Sequence, residues 1–470
     1  MGSSVLDASI ALATVQHELL LFAATFFLVG ALDEVAVDIA YLWLRIRGHA
    51  KTHHVTPREI QGVQLSGRIA VLIPTWHEQS VIADTVRHML KAWPHPAMRL
   101  YVGCYANDPE TLVAARTACE GDARASVVVH RHHGPTCKAD CLNHLYRAVV
   151  ADENEAGERY RIVILHDAED MVDPAALVLL DKAMVSADFV QLPVVPLPQR
   201  RSPLIAGHYC DEFAESHAKS MVVRSALGHG IPGAGVGTAI GRDYLDKLDE
   251  LRRGHGPFVT GSLTEDYLLG LQLARLGARG IFVRARTADG ELIATRAYFP
   301  ITMRAAIRQK SRWIHGIAFQ GWDRLGWRGS PVAVWMQLRD RRGPMAALLL
   351  ALGYLLVALY GFQLVLGWFG LLYIPPLSDE LSLLLAANVI ALGWRLAARA
   401  LFTAREHGIA QGLLAIPRVV VSNTIAIVAA RRAAFSYARS VFGREAAWEK
   451  TDHAGHPATS ADRSWSKAGW

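Results

Sequence analysis

RIAVLIP (Arg68–Pro74), MRLYVGC (Met98–Cys104), SVVVH (Ser126–His130) and RIVILHD (Arg161–Asp167) are the runs whose reading decides the fold. Each is short and rich in Val, Ile and Leu. Amphipathic stretches separate them, one from Glu78 to Trp93, another after Asp108 and a third from Lys138. This alternation is the signature of parallel strands joined by crossover helices, so residues from about Arg68 to Asp289 are expected to form an α/β, Rossmann-like domain with a mainly parallel sheet. Sites in such folds gather at the carboxyl ends of the strands. The polar clusters Pro74 to Glu78, Asn107-Asp108 and His166 to Asp170 each fall at such an end.

Outward from this domain the chain becomes apolar. Val15 to Leu32 is broken only by Gln16, His17, Glu18 and Thr25, and after Asp33, Glu34 and Asp38 a second apolar stretch ends at Leu44. About 20 apolar residues span a bilayer, so a first membrane helix is expected here, serving as an anchor because no basic leader or small-residue cleavage site accompanies it. Arg45, Arg47 and Lys51 follow it, which puts the next domain in the cytoplasm by the positive-inside rule. Beyond Gly343-Pro344, apolar runs to Tyr373 and from Leu381 to Leu401 read as a helical hairpin, with Pro375-Pro376, Asp379 and Glu380 in its outer loop. Pro417 and Arg418 interrupt Ile409 to Ala430, which favours an interfacial or re-entrant segment over a crossing. The expected division is a membrane anchor and basic linker (1–52), a catalytic domain ending in an interfacial helix (53–330), the hairpin with its interfacial or re-entrant segment (331–450), and a polar, disordered tail (451–470).

Composition agrees. Of the 470 residues 51% are hydrophobic and the mean hydropathy is +0.18, too oily for purely soluble domains. The net charge of +6 comes from Arg residues beside apolar stretches, so membrane lipids and anionic ligands are the expected partners and nucleic acid is not. Five cysteines with no Cys-x-x-Cys pair indicate neither a disulfide framework nor a zinc knuckle and fit a reducing compartment.

Four motifs carry chemistry. HDAEDMVDP places Asp167, Glu169 and Asp170 directly after a strand; hard carboxylate oxygens suit Mg²⁺ or Mn²⁺, while a solvated acidic turn is the alternative. TEDYLLGLQLARLG sets Thr264, Glu265 and Asp266 at a helix start, where a carboxylate is electrostatically favoured and can act as general base, or simply belong to an ordinary N-terminal cap. RAAIRQKSRWIHG repeats Arg304, Arg308 and Arg312 every four residues, with Gln309 and Trp313 sharing a face; such a helix can lie at a membrane surface and offer guanidinium to phosphate and indole to a sugar. GPTCKADCLN starts a helix at Lys138, where an ammonium and backbone N–H groups attract phosphate. His130, His132 and His133 read as a polar loop rather than metal ligands. GAGVGTAIG (Gly233–Gly241) lacks the dinucleotide spacing and reads as a loop near an acceptor, or as a turn requirement alone.

In this order PTWHE, NDPET, GPTCKADCLN, HDAEDMVDP, GVGTAIGRD, TED and Gln309-x-x-Arg312-Trp313 resemble the family 2 glycosyltransferases of the cellulose, chitin and hyaluronan synthase type, including bacterial inner-membrane members linked to surface polysaccharide. The resemblance implies a GT-A fold, a hexosyltransferase that inverts the anomeric carbon, a UDP-sugar donor such as a UDP-N-acetylhexosamine, and Mg²⁺ or Mn²⁺. Matched by motif, Pro74, Glu78, Asp108, Lys138 and Asp167 form the nucleotide-sugar site. Asp167 with Glu169, or with the adjacent Asp170, takes the metal. Asp266 is the base with Glu265 beside it, and Gln309, Arg312 and Trp313 hold diphosphate and acceptor. Transfer to a growing polysaccharide is expected, with single-sugar transfer to a lipid-linked acceptor and a non-catalytic scaffold for phage-receptor or exopolysaccharide assembly as alternatives. Three crossings are too few for a self-contained polymer channel, so export partner proteins are expected.

Overall fold

The structure, a computed structural model, describes residues 2–50, 52–60, 62–372, 376–443 and 455–459, with side chains from residue 13. The chain begins as one helix, α1 (Gly2–Ile46). Seven strands then form one sheet: β1 (Arg68–Pro74), β2 (Met98–Tyr105), β3 (Ala125–His130), β4 (Tyr160–Leu165), β5 (Phe189–Gln191), β6 (Thr238–Gly241) and β7 (Gly280–Phe282). Their spatial order is β3-β2-β1-β4-β6-β5-β7, parallel throughout except that β6 runs antiparallel to both neighbours. The first four strands are joined by α2 (Ile82–Ala92), α3 (Pro109–Cys119) and α4 (Lys138–Ala156).

The unbroken apolar runs follow from this layering. Ile69, Val71 and Ile73 of β1 face one side and pack with Ile82, Val86 and Met89 of α2. Ala70 and Leu72 face the other and pack with Leu142, Leu145 and Val149 of α4. Successive strand residues point to opposite faces, and with both faces covered each must be apolar. Burial of each large aliphatic side chain stabilises the fold by about 1.5–3 kcal/mol. The loops after β1, β2 and β4 leave from the same edge of the sheet and carry the three polar clusters.

Seven of the later helices frame the site and the apolar part: α5 (Ile205–Glu215), α6 (Glu265–Arg275), α7 (Met303–Ile314), α8 (Pro331–Arg341), α9 (Gly343–Trp368), α10 (Asp379–His407) and α11 (Ile409–Val441). Four helices, α1, α9, α10 and α11, are long and apolar enough to cross a membrane. Helices α1, α9 and α10 pack together through Gln16 with Gln363 at 2.7 Å, Ala24 O with Asn388 at 3.0 Å and Asp38 with Trp394 at 2.8 Å. Large apolar side chains such as Leu348, Leu355, Leu383 and Ile390 remain exposed on them.

Three expectations need correction. Asp33, Glu34 and Asp38 do not break α1, because each has a partner: Asp33 pairs with Arg339 and Arg342, Glu34 with the same two arginines, and Asp38 with Lys219 at 2.6 Å. Helix α11 is continuous through Pro417 rather than re-entrant, and it touches the catalytic domain along its length. Arg418 pairs with Asp211 of α5 at 2.9 Å, Ser311 of α7 bonds Ala429 O at 3.2 Å, and Tyr437 bonds Asp323 at 2.9 Å. The tail is not uniformly loose, since residues 455–459 pack against the catalytic domain and bury His456. Pro375, Arg444, Lys450 and WEKTDH (Trp448–His453) lie outside the described residues.

Candidate active site

The loop after β1 is drawn over the start of α3. Asp108 caps α3 by accepting from Thr111 N and also accepts from His77 N at 2.6 Å, while Thr111 Oγ1 accepts from Glu78 N at 2.9 Å. Asp108 is therefore 2% exposed and does not line the cavity described next; its carboxylate anchors the β1 loop to α3. Asn107 ties this region to the Gly134-Pro135 loop through bonds of 2.7 and 2.8 Å to Gly134 O and N. The wall formed includes Pro74, Trp76, Glu78, Tyr105 and Thr136, with Trp76 edge-on to Tyr105 at 5.2 Å. Trp76 offers apolar, stackable surface suited to a nucleobase, while Tyr105, 3% exposed, is stacked on His130 at 4.9 Å and backs it. Sequence reasoning passed over both, although Trp76 stands inside PTWHE.

This wall is one side of a cavity of about 610 Å³ that also gathers Lys138, Asp167, Glu169, Glu265, Asp266, Gln309, Arg312 and Trp313. Lys138 opens α4 and stands among the acids, with Nζ 2.5 Å from Asp167 Oδ1 and 3.7 Å from Glu265 Oε1. Burial alone would lower its pKa, but Asp167, Glu265 and Asp266 outweigh it and hold the ammonium well above its usual range. Burial pushes Glu265 up to about 7, against the pull of Lys138, and raises Asp266 in the same way. Asp266 Oδ1 also accepts from Tyr267 N at 2.8 Å. The glycine loop closes over this centre. Gly235 has φ +75°, and a Cβ there would lie 2.9 Å from Asp266 Oδ2 and 3.1 Å from Lys138 Nζ. Both a left-handed backbone and a close approach thus require glycine.

In the turn after β4, Asp167 and Glu169 are half-exposed toward the cavity, whereas Asp170 is 2% exposed. The Asp170 carboxylate accepts from His166 Nδ1 at 2.8 Å and from Asp167 N at 2.9 Å. Asp167 and Glu169 are hard oxygen donors in the same cavity as Lys138 and Arg312. Two carboxylates plus diphosphate oxygens are the usual donor set for Mg²⁺, so this pair fits a divalent cation. His130, His132 and Asp140 place ligand atoms within 4.8 Å of one another, a partner that spacing concealed, but none of the three lines the cavity.

Helix α7 closes the far side. Gln309 lines the cavity, and its Oε1 is buried without a hydrogen-bond partner among the described residues. Arg312 lies near enough to Asp266 to oppose the rise in its pKa. Trp313 stands in an aromatic cluster, 6.0 Å from Tyr209, 6.2 Å from Phe213 and 6.5 Å from Phe299.

A mainly parallel sheet with an acidic turn after its fourth strand, an acid pair opening α6 and a nucleotide-sized wall between them defines a glycosyltransferase of the GT-A class. A family model described as glycosyltransferase like family 2 matches residues 67–316, and the chain belongs to that family. Bacteriophage adsorption protein B of Escherichia coli K12 is 32% identical over 462 residues, covering 92% of this chain, and bacteriophage N4 adsorption protein B of Escherichia coli O157:H7 matches equally. The chain spans 61% of the length of these relatives. A mannosyltransferase of Pyrobaculum calidifontis, solved with GDP-Man and Mn²⁺, shares the fold at TM-score 0.52 and 16% identity, over 87% of this chain and 99% of that one.

Proposed function

We propose that the chain transfers a sugar from a UDP-sugar to a growing polysaccharide at the cytoplasmic face of a bacterial inner membrane, with inversion at the anomeric carbon. The observation that carries this reading is the meeting of Asp167, Glu169, Lys138, Asp266, Gln309 and Arg312 in one cavity. Trp76 and Glu78 hold the nucleoside, with Tyr105 supporting Trp76 from behind. Asp167 and Glu169 hold Mg²⁺ or Mn²⁺, with Asp170 as the brace of their turn; bound there, the cation neutralises charge on the leaving diphosphate. Lys138 and Arg312 add donors to the same oxygens. Asp266 takes the proton of the acceptor hydroxyl, with Glu265 adjusting the charge around it, and Trp313 offers its ring to the acceptor sugar. Helices α1, α9 and α10 cross the bilayer, and α11 lies along the interface against the domain. Export proteins receive the product.

Single-sugar transfer to a lipid-linked acceptor is favoured by one observation: the cavity extends to Val37 of α1 and Met336 of α8, beside the membrane helices. The test uses purified protein in detergent, a panel of UDP-sugars with Mg²⁺ or Mn²⁺, and UDP release followed by product sizing. Asp266→Asn is expected to lower kcat by about 10²–10⁴-fold while UDP binding with Mn²⁺ persists. Full activity in that variant removes Asp266 from the base role, and products of one added sugar remove chain extension.

A further inference from the structure

The turn from Ala168 to Asp173 carries the proposed metal ligand Glu169, and its backbone carbonyls are held from behind. Thr85 Oγ1 donates to Ala168 O, His88 Nε2 to Val172 O at 2.9 Å, and Trp93 Nε1 to Asp173 O at 3.0 Å. These three donors come from α2 and the residue that follows it. Met171 is held through both backbone groups by Arg296, at 2.8 and 2.9 Å. The Asp170 carbonyl is served differently. Its partner among the described residues is His456 Nε2 at 3.1 Å, from a segment 286 residues further along the chain.

His456 is built into this position. It is 1% exposed, and its ring lies 5.7 Å from that of His88. Its Nδ1 accepts from Ala458 N at 3.2 Å, which leaves the ring proton on Nε2 to be donated to Asp170 O. Thr459 Oγ1 fastens the same segment to Asp84 of α2 at 2.9 Å. The Glu169 backbone is thereby bracketed: the peptide before it is fixed by Thr85 and the peptide after Asp170 by His456.

We propose that His456 is a positioning residue for the metal-binding turn, so that docking of residues 455–459 sets the affinity of the site for its divalent cation. Without His456 the Asp170 carbonyl loses its donor and the Asp170–Met171 peptide is held only at its other end, by Met171 N on Arg296 O, so the turn that carries Glu169 loosens. The inference rests on the reading of Asp167 and Glu169 as metal ligands. Removal of a partner bonded directly to a ligating group costs about 10–100-fold in metal affinity, and His456, which acts one residue away from Glu169, falls at the low end of that range.

The test is Mn²⁺ binding to the full-length protein in detergent with UDP present, read from loss of the free-ion signal in electron paramagnetic resonance, with activity against Mn²⁺ concentration as a second readout. His456→Ala is expected to raise the Mn²⁺ dissociation constant about tenfold, while kcat at saturating Mn²⁺ stays within about threefold of the parent. Thr459→Val is expected to shift binding in the same direction by less. His456→Gln, whose amide can donate to the same carbonyl, is expected to recover most of the loss. Unchanged Mn²⁺ affinity in both His456→Ala and Thr459→Val overturns the proposal, as does a loss of kcat with no shift in Mn²⁺ affinity. Asp167→Asn is measured alongside. If it abolishes Mn²⁺ binding while His456→Ala binds like the parent, the tail inference alone falls; if it leaves binding intact, the metal reading of the turn falls and takes the inference with it.

Discussion

Gly235→Ala separates chemistry from scaffold at the centre of the site. The native φ of +75° places an alanine in the left-handed region, at a cost of about 1–2 kcal/mol. The new methyl would also sit 2.9 Å from Asp266 Oδ2 and 3.1 Å from Lys138 Nζ. An ordinary contact needs about 3.5 Å, so the carboxylate must retreat by roughly 0.5 Å. A 1 Å misplacement of a reacting group costs about 100-fold, so half that displacement is worth about tenfold in kcat. Gly121→Ala is the control, because Gly121 has φ +83° with nothing within 4 Å of a built Cβ. It bears the same backbone strain and is expected to keep kcat. The assay is UDP release under saturating donor and Mn²⁺, with UDP affinity measured separately and expected to hold in both variants, since Trp76 and Tyr105 lie on another wall. Equal kcat for Gly235→Ala and Gly121→Ala would refute the claim that the glycine loop sets the position of Asp266.

The acid pair predicts a pH dependence. Glu265 stands at about 7 in the fold against an ordinary 4.5, and Asp266 is raised beside it. The deprotonated base therefore accumulates as pH rises above the ordinary carboxylate range, and kcat/KM should climb with it and fall away on the acid side. Stability runs the opposite way: between the two Glu265 values the folded state binds more protons than the unfolded one, so its contribution is present at low pH and is lost as pH rises toward 7. A flat kcat/KM profile from pH 5 to 8 would contradict this. For the scaffold, Arg418→Met leaves the buried Asp211 carboxylate without its partner and should lower unfolding stability by about 3–5 kcal/mol. The double variant with Asp211→Asn should recover much of the lost melting temperature in detergent, and a single variant that melts like the parent would show the pair to be dispensable.

What could be read from the sequence was what depends on neighbours along the chain. Strand β4 and the acids that follow it form one contiguous segment, and the acid pair of α6 sits at its own helix start, so the local pattern was enough to nominate Asp167, Glu265 and Asp266. The anchoring of the β1 loop by Asp108 was not legible, because the donor, His77 N, is 31 residues away and is delivered only when that loop folds over α3. The bond from His166 to Asp170 was hidden likewise, because their four-residue spacing is uninformative until the turn is seen to fold back on itself. The docked tail was hidden for a different reason. Small and polar residues read as solvated, and His456 is buried only because α2 and the turn offer it a carbonyl and a ring.

The acids of α1 illustrate how the membrane part and the chemical part are joined. Taken alone, Asp33, Glu34 and Asp38 look like damage to a membrane span, since unpaired charge is costly in a bilayer. In the fold they grip Arg339 and Arg342 at the end of α8, with Asp33 also accepting from Trp335 Nε1 at 2.6 Å. The residue after Arg339 is Asp340, which accepts from Tyr267 Oη at 3.0 Å and from Arg224 at 2.8 and 2.9 Å. Tyr267 follows Asp266 directly on α6 and its backbone N–H holds the Asp266 carboxylate. Two consecutive residues of α8 therefore connect the first membrane helix to the helix that carries the proposed base. Arg339, Asp340 and Val37 also line the cavity itself. A boundary for the catalytic domain at residue 330 follows composition but cuts this connection, for it would strip Tyr267 and Arg224 of their partner and open the cavity wall. The packed unit around the cavity thus runs through α8, and α1, which precedes the domain in sequence, contributes Val37 to the cavity wall.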